Sequence, residues 1–225
     1  MNRKCVLFGI TAILVLSMSA MSYADGLLSN ASSFLNEKSN NEKTGYRFRG
    51  YDWGTPLEEI KNNETTSGMI DGISYEVRES EKVFVVLTNV AKIDLFACFY
   101  FDDNWCLKYG VYVPQVTYLK SDMDYYSEFE TIDNALTTLY GEPERYADVI
   151  DADKISNMSR DEIISKITQE NAVITNVWTA EDESVILADC FFYNGHVRGE
   201  FYYLQNYDQF TEVTEENTAN NTEGL

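Results

Sequence analysis

The stretch ADCFFYNGHVRGEFYY, residues 188–203, decides the fold that we predict for this chain. It consists of two runs rich in aromatic residues on either side of Asn194-Gly195. An Asn-Gly pair favours the two-residue turn of a β-hairpin, because a type I′ turn needs a positive φ at both positions. This turn predicts a register in which Tyr193 lies opposite His196 and Cys190 lies opposite Gly199.

The register divides the hairpin into two faces, because successive side chains of a strand point to opposite sides of a sheet. The predicted core face carries Ile186, Ala188, Cys190, Phe192, Val197, Phe201 and Tyr203. The other face, which we expect to be amphipathic and exposed in part, carries Phe191, Tyr193, His196, Arg198, Glu200 and Tyr202. Tyrosine and arginine are enriched at protein interfaces. The candidate binding residues are therefore Tyr193, His196, Arg198 and Tyr202.

Other helices and strands precede this hairpin. Strand patterns lie at residues 73–77, 83–90, 172–178 and 184–193, and residues 95–101 and 105–113 predict another hairpin. The strongest helix pattern starts near Ser121-Asp122, repeats apolar residues every three or four positions, and ends at Gly141 and Pro143. Capping boxes predict two shorter helices, one at Thr55–Glu58 and one at Ser159–Glu162.

The order of helix, strands and hairpin occurs twice along the chain. Residues 96–101, FACFYF, precede one turn much as residues 188–193, ADCFFY, precede the other. We therefore predict an α+β fold of two helix-plus-antiparallel-sheet repeats, residues 47–120 and 121–210. Aligning the cysteines and aligning the turns differ by one residue, so the register of the repeat stays open.

Two stretches carry a resemblance to known families. Residues 48–61, FRGYDWGTPLEEIK, look like the helix-opening segment of small exported bacterial proteins of largely unassigned role. Residues 132–143, which end in LYGEP, together with Trp178 and the 190–203 hairpin, are similar to the SmpA/OmlA-like domain of an outer-membrane barrel assembly lipoprotein. That family shares its helix-plus-sheet plan with β-lactamase-inhibitor proteins, which carry it twice. The resemblance implies a non-catalytic, protein-binding module.

Residues 1–24 have the features of a signal peptide. Arg3 and Lys4 precede an apolar run at residues 6–16, and a small-x-small site ends at Ala24. The run is shorter than the ~20 residues that a membrane-spanning helix needs. Cys5 precedes the run, unlike the lipid-bearing cysteine of a lipoprotein. We expect cleavage after Ala24, no membrane anchor afterwards, and an exported protein that is periplasmic or extracellular.

Polar segments flank the two predicted repeats. Residues 25–46, rich in Asn, Ser, Glu and Lys, are predicted to be a polar tether with Leu27, Leu28, Phe34 and Leu35 as its apolar residues. Residues 211–225 are predicted to be a disordered acidic tail, because they cannot bury enough apolar surface to offset the entropy of ordering.

The chain is strongly acidic, with 37 Asp and Glu against 17 Lys and Arg and a formal net charge of −20. Because Arg3 and Lys4 leave with the signal peptide, 15 basic residues remain and the mature charge is about −22. Such a charge repels nucleic acid and anionic membrane surfaces. We therefore expect no nucleic-acid partner.

No sequence motif indicates catalysis, a metal or a cofactor. His196 is the only histidine, and no motif places a nucleophile beside it. Cys98, Cys106 and Cys190 lie in apolar runs without C-x-x-C spacing, which favours buried free thiols over a zinc site. Hairpin geometry disfavours a Cys98–Cys106 disulfide. A Cys98–Cys190 link stays open if both hairpins share one sheet.

Together these features predict an exported non-catalytic binding module whose partner is another envelope or extracellular protein. Two alternatives stay open, a carboxylate-based extracytoplasmic hydrolase and a carrier or sensor for a small ligand. Convergent carboxylates in a deep pocket would favour the hydrolase, and an enclosed apolar cavity would favour the carrier. A flat exposed aromatic patch would favour the binding module.

Overall fold

A computed structural model of the chain describes residues 45–67, 76–115, 117, 119–206 and 208–209. The predicted signal peptide, residues 25–44 of the predicted tether, and the predicted acidic tail lie outside the described residues. The helices are α1 (Leu57–Ser67), α2 (Asp122–Tyr140) and α3 (Arg160–Glu170), with a 3-10 helix at Ala152–Asn157. The strands are β1 (Glu76–Arg78), β2 (Val83–Val90), β3 (Ile93–Phe101), β4 (Leu107–Pro114), β5 (Glu144–Ala147), β6 (Ile174–Thr179), β7 (Val185–Tyr193) and β8 (His196–Leu204).

All the described strands belong to one antiparallel sheet, with the order β1-β2-β3-β4-β8-β7-β6-β5. Each strand from β1 to β4 pairs with the next along the chain, and the same holds from β5 to β8. The two halves meet where β4 pairs with β8, with Val111 opposite Tyr202. The fold is therefore α+β, as the sequence predicted.

The β7–β8 hairpin has the predicted register. Tyr193 lies opposite His196 and Cys190 lies opposite Gly199. Asn194 and Gly195 have φ angles of 51° and 87°, as a type I′ turn requires. The local sequence is therefore sufficient to define this hairpin.

The β3–β4 hairpin is irregular at its turn. Phe101 lies opposite Leu107, and the pairing shifts between Tyr100 and Phe101. Trp105 has a φ of 59°, and the Asp102 carboxylate accepts hydrogen bonds from the Asn104 and Cys106 amides at 2.8 and 2.9 Å. The Asp102 side chain thus stabilises a turn longer than the sequence pattern suggests.

One of the two predicted capping boxes, at Ser159, is present, and a second box forms at Ser121, where only a helix start was predicted. The Ser121 and Ser159 hydroxyls accept from the amides of Asp124 and Glu162, and those carboxylates accept from the serine amides in return. The prediction at Thr55 is wrong. Helix α1 begins at Leu57, and the Thr55 hydroxyl donates to the Asp52 carbonyl at 2.7 Å.

The described helices lie on one side of the sheet, which we call the first face. Their buried apolar side chains join one large core with the inward residues of the strands. The helical members of that core are Leu57, Ile60, Tyr125, Tyr126, Phe129, Ile132, Leu136, Ile155, Ile163 and Ile167. The strand members include all seven residues of the predicted core face, with Phe192 half-buried. None of the described helices is long and apolar enough to cross a membrane.

Candidate functional site

The opposite side of the sheet, which we call the second face, has an apolar core of its own. Its buried members all come from strands, and they are Val83, Val85, Cys98, Val111, Val113, Val177, Val185, Leu187, Tyr202 and Leu204. Strand pairing aligns six of them in one row across the sheet, namely Val85, Cys98, Val111, Tyr202, Leu187 and Val177. The row crosses six strands, a distance of about 24 Å.

A polar group lies beside this row on β8. The Arg198 Nε is 2.8 Å from Glu200 Oε1, and the Tyr202 hydroxyl donates a hydrogen bond to Glu200 Oε2. The Arg198 guanidinium also lies 5.8 Å from the centre of the Tyr193 ring, within the range of a cation–π contact. Three of the four predicted binding residues, Tyr193, Arg198 and Tyr202, are therefore brought together around Glu200.

Asp189 adds a second carboxylate to this group. It lies directly opposite Glu200 in the β7–β8 pairing, and it accepts a hydrogen bond from the Thr175 hydroxyl at 2.6 Å. Like charges placed opposite each other destabilise a sheet unless they are compensated. Arg198 and the two hydroxyl donors supply that compensation.

Stacked tyrosines continue the second face on the other half of the sheet. The rings of Tyr100 and Tyr109 lie 4.5 Å apart between centroids with an interplanar angle of 9°. Burial raises the pKa of the Tyr100 hydroxyl well above its ordinary value, and burial also raises the pKa of the neighbouring Cys98 thiol to about 12. Both groups are therefore uncharged at neutral pH.

The second face is more buried than the sequence suggested. We expected Arg198 and Tyr202 to be exposed in part, but their exposed fractions are 6% and 2%, and Leu187 has 0%. Tyr193 and His196 are half-buried. Every described helix packs on the first face, so none of them accounts for this burial.

His196 lies opposite Tyr193 in the hairpin, but its side chain contacts α2. Its Nδ1 is 3.9 Å from Asp122 Oδ1, and its ring meets the Tyr125 ring edge-on at 5.7 Å. Asp122 also accepts from the Val197 amide at 2.9 Å. His196 therefore belongs to the contact between the hairpin turn and the start of α2.

The three described cysteines are free. Cys98 and Cys190 are buried as predicted, whereas Cys106 is half-buried. The two hairpins do share one sheet, but Cys98 lies in the core of the second face and Cys190 in that of the first. A link between Cys98 and Cys190 would have to pass through the sheet.

A buried carboxylate on the first face was not among the predicted sites. Asn176 donates to Asp133 Oδ1 at 2.7 Å and accepts from the Arg145 Nε at 2.8 Å. Burial raises the pKa of Asp133, although the Asn176 hydrogen bond and the Arg145 charge act in the opposite direction. The position of Asp133 was a usable signal, because it falls four residues after Phe129 on the apolar side of α2.

A second unpredicted pair links the start of the described chain to α1. Arg49 has a φ of 52°, and its Nε and Nη2 lie 2.9 and 2.8 Å from the two carboxylate oxygens of Glu64. It also donates to the Thr88 hydroxyl at 3.2 Å. The bidentate pair joins the segment before α1 to α1 itself, and the hydrogen bond to Thr88 joins it to β2.

The four buried carboxylates of the described residues are arranged as structural ion pairs and hydrogen-bond acceptors. Asp189, Glu200, Asp133 and Glu64 each have a protein partner within 2.9 Å. Within the described ranges, no three His, Cys, Asp or Glu side chains are grouped as metal ligands. The arrangement best suited to recognition is the second face, where an apolar row adjoins a cluster of tyrosines and arginine.

The comparisons with known proteins add no relative to this description. No protein-family model matches the chain, and neither a curated protein nor a solved structure matches it.

Proposed function

We propose that this chain is an exported, non-catalytic binding module, and that its second face binds another envelope or extracellular protein. The observation that carries the proposal is the apolar row from Val85 to Val177, on which no described helix packs. The residues of this row are at most 6% exposed although no described helix covers them, and an apolar strand face of this kind suits an apolar partner surface. The Tyr193, Arg198 and Tyr202 cluster supplies the residue types that dominate binding energy at interfaces.

Binding is favoured over hydrolysis by the state of the paired carboxylates. Asp189 and Glu200 are opposite neighbours, as a carboxylate-based hydrolase would need, but each is already engaged by residues of the same sheet. A general acid or nucleophile must be able to reach a substrate. An Arg198–Glu200 pair at 2.8 Å is better suited to orient an interface than to transfer a proton.

The proposal includes two helix-plus-antiparallel-sheet repeats. Its support is the strand order, in which β1 to β4 and β5 to β8 form consecutive halves that meet at β4 and β8. Aligning the repeats by their cysteines would equate Cys98 with Cys190, which lie on opposite faces of the sheet. We therefore propose the register that aligns the two hairpin turns. The resemblance of residues 48–61 and 132–143 to exported bacterial proteins and SmpA/OmlA-like domains agrees with this plan.

Export rests on the pattern of residues 1–24 and is tested by the intact mass of the secreted protein. The mass should correspond to a chain beginning at Asp25 without an acyl group. A mass that retains Cys5, or one that includes a lipid, would contradict the proposal.

Partner binding is tested by capture with the mature protein from the native envelope, compared between two matched variants. Phe96→Ser/Tyr193→Ser changes two half-buried aromatic residues of the second face. Leu119→Ser/Val149→Ser changes two exposed apolar residues in loops outside the sheet. A partner of the second face should be lost with the first variant and retained with the second. Equal capture by both variants would reject the second face as the binding site.

A further inference from the structure

We propose that residues 46–56, which we call the clasp, hold the two halves of the sheet, β1 to β4 and β5 to β8, in register and thereby control the second face. The hold on the sheet stands independently of the proposed function, whereas its consequence for partner binding rests on that function. The inference follows from the short pairing of β4 with β8, the contacts of the clasp with both halves, and the place of Phe48 between them.

The pairing of β4 with β8, which we call the seam, is shorter than the pairing on either side of it. The seam consists of four residue pairs, between residues 109–112 of β4 and residues 201–204 of β8. In contrast, β3 and β4 share seven pairs, and β7 and β8 share nine. The helices also divide at the seam, because α1 packs chiefly against β2 and α2 packs chiefly against β7 and β8. Fewer backbone pairs therefore join the two halves than hold each half together beside the seam.

The start of the clasp is attached to the half that contains β5 to β8. The Tyr46 amide donates to the Ser184 hydroxyl at 2.6 Å, and the Tyr46 ring lies 4.8 Å from the ring of Tyr140, the last residue of α2. Arg47 Nη1 lies 2.9 Å from Asp182 Oδ2, in the turn that precedes β7. A hydrogen bond, a ring contact and an ion pair thus join the clasp to this half.

The rest of the clasp is attached to the half that contains β1 to β4. The chain turns back at Arg49-Gly50, where both residues have a positive φ. A positive φ is uncommon for a residue other than glycine, and the bidentate pair with Glu64 of α1 holds Arg49 in this conformation. Beyond the turn, the Gly54 amide donates to the carbonyl of Leu107, the first residue of β4, at 2.9 Å. The clasp therefore crosses from one half to the other on the first face.

Phe48 of the clasp packs on the seam itself. Its ring is fully buried, occupies the space that a side chain at Gly110 of β4 would need, and lies 5.5 Å from the Tyr203 ring of β8. Gly110 and Tyr203 are paired with each other across the seam. Because Gly110 is the only glycine of β4, the ring fits at one position along that strand. Phe48 therefore favours the register in which Gly110 lies opposite Tyr203.

The register at the seam decides whether the apolar row of the second face is continuous. Val111 and Tyr202, which adjoin Gly110 and Tyr203 in their strands, are paired in the middle of that row. A slip of one residue would turn the side chains of one strand to the other face, and an open seam would divide the row in two. A partner that spans the row binds the joined state more tightly. By linkage, the seated clasp and such a partner stabilise each other.

The test measures amide hydrogen exchange, residue by residue by NMR, in the mature chain beginning at Asp25. The variant Phe48→Leu trims the clasp at the seam. The matched control is Phe84→Leu, because Phe84 is also fully buried but lies on β2, away from the seam. We expect the amides that bond β4 to β8 to exchange about tenfold faster in Phe48→Leu than in the parent chain, since the ring loses part of its packing there.

The amides inside each half provide the comparison. In Phe48→Leu, those that bond β2 to β3 and β6 to β7 should change less than those of the seam, because local opening does not require unfolding of either half. In Phe84→Leu, the seam amides should change no more than those between β2 and β3. An equal increase at all of these amides in Phe48→Leu would overturn the clasp, because Phe48 would then stabilise the fold as a whole.

A milder pair of variants decides the question if Phe48→Leu does not fold. Arg47→Gln removes the ion pair with Asp182, and Arg160→Gln removes an ion pair with Glu130 between α3 and α2. Because the Arg47 pair is partly exposed, the seam amides should exchange only about threefold faster in Arg47→Gln. They should be unchanged in Arg160→Gln. Equal exchange at the seam in these two variants would overturn the clasp.

Partner capture from the native envelope separates this inference from the proposed function. If both hold, Phe48→Leu captures less of the second-face partner than Phe84→Leu does. Faster exchange at the seam with equal capture by these two variants would overturn the control of the second face by the clasp. Capture that persists in Phe96→Ser/Tyr193→Ser would instead reject the binding role of the second face, whatever the exchange at the seam.

Discussion

Cys98 and Cys190 lie in the same antiparallel sheet but on opposite faces of it. Cys98 belongs to the core of the second face and Cys190 to the core under the helices. Two thiols separated by the plane of a sheet cannot approach to the Cβ distance of about 4 Å that a disulfide needs. The similar local sequences of the two hairpins therefore do not lead to equivalent positions.

The thiols should remain reduced and differ in reactivity. Burial raises the pKa of Cys98 to about 12 and raises that of Cys190 well above its ordinary value, and the thiolate is the reactive form. In the native mature protein, Cys106 should react first with a maleimide, and the other two should react fully only after denaturation. Mass spectrometry of a non-reduced digest that found Cys98 linked to Cys190 would contradict the assignment of faces.

The Arg198–Glu200 pair should show strong energetic coupling. Removing one partner of a buried ion pair leaves an uncompensated charge, so Arg198→Met should cost about 3 kcal/mol of unfolding free energy. Arg198→Met/Glu200→Met should recover more than half of that loss. Lys166→Met, in a more exposed pair with Glu170, should change stability by less than about 1 kcal/mol in the same urea titrations. Additive losses in the double variant would argue against the coupling.

Asp133 should make the folded state less stable as the pH rises. Its folded pKa is raised, chiefly by burial, so its favourable contribution is complete below the unfolded pKa of about 3.9 and is lost as the pH rises through the folded value. Asp133→Asn removes this titration. Its stability relative to the parent chain should therefore increase between pH 4 and pH 7.

Urea midpoints measured across that range provide the check for Asp133. Glu181→Gln, in the exposed β6–β7 turn, is the control that removes a carboxylate without touching this site. If the stability of Asp133→Asn relative to the parent chain fell with rising pH, the predicted sign would be wrong.

Phe48 should make Gly110 intolerant of a side chain. A Cβ on Gly110 would lie 2.0 Å from Phe48 Cδ1, and the Phe48 ring is held by Phe99 and Tyr112 at centroid distances of 4.9 and 4.8 Å. Gly110→Ala should therefore destabilise the protein by about 1–3 kcal/mol through overpacking.

Two variants check the Gly110 prediction by thermal unfolding. Gly199→Ala meets Phe129 at 2.8 Å, a milder overlap, and should cost less than Gly110→Ala. Phe48→Leu combined with Gly110→Ala should cost less than the sum of the single changes, because the leucine leaves room for the new methyl group. Strict additivity would show that Phe48 is not the obstacle.

Several elements could be predicted from local sequence because their causes are local. Ser121 and Ser159 cap their helices through residues three positions away, and Asn194-Gly195 alone determines a turn. Strand β5 was missed, since the polar stretch Glu144–Ala147 becomes a strand only through its pairing with β6. The β3–β4 turn was also missed in detail, because its shape depends on the Asp102 side chain.

The residues of the candidate site were also predicted only in part from the local sequence. Strand alternation correctly placed Tyr193, Arg198 and Tyr202 on one side of the hairpin, opposite the core that lies under the helices. It could not predict that Arg198 and Tyr202 are buried, or that His196 contacts α2, because these depend on residues distant in the chain.

The sequence by itself determined the β7–β8 register, two helix starts and the separation of the hairpin into two faces, because turn geometry and side-chain alternation act over a few residues. The tertiary structure alone decided that β4 pairs with β8, which aligns Val111 with Tyr202 and creates the continuous row of the second face. That pairing joins strands about ninety residues apart, and its stability comes from apolar surfaces buried together, which no local pattern specifies.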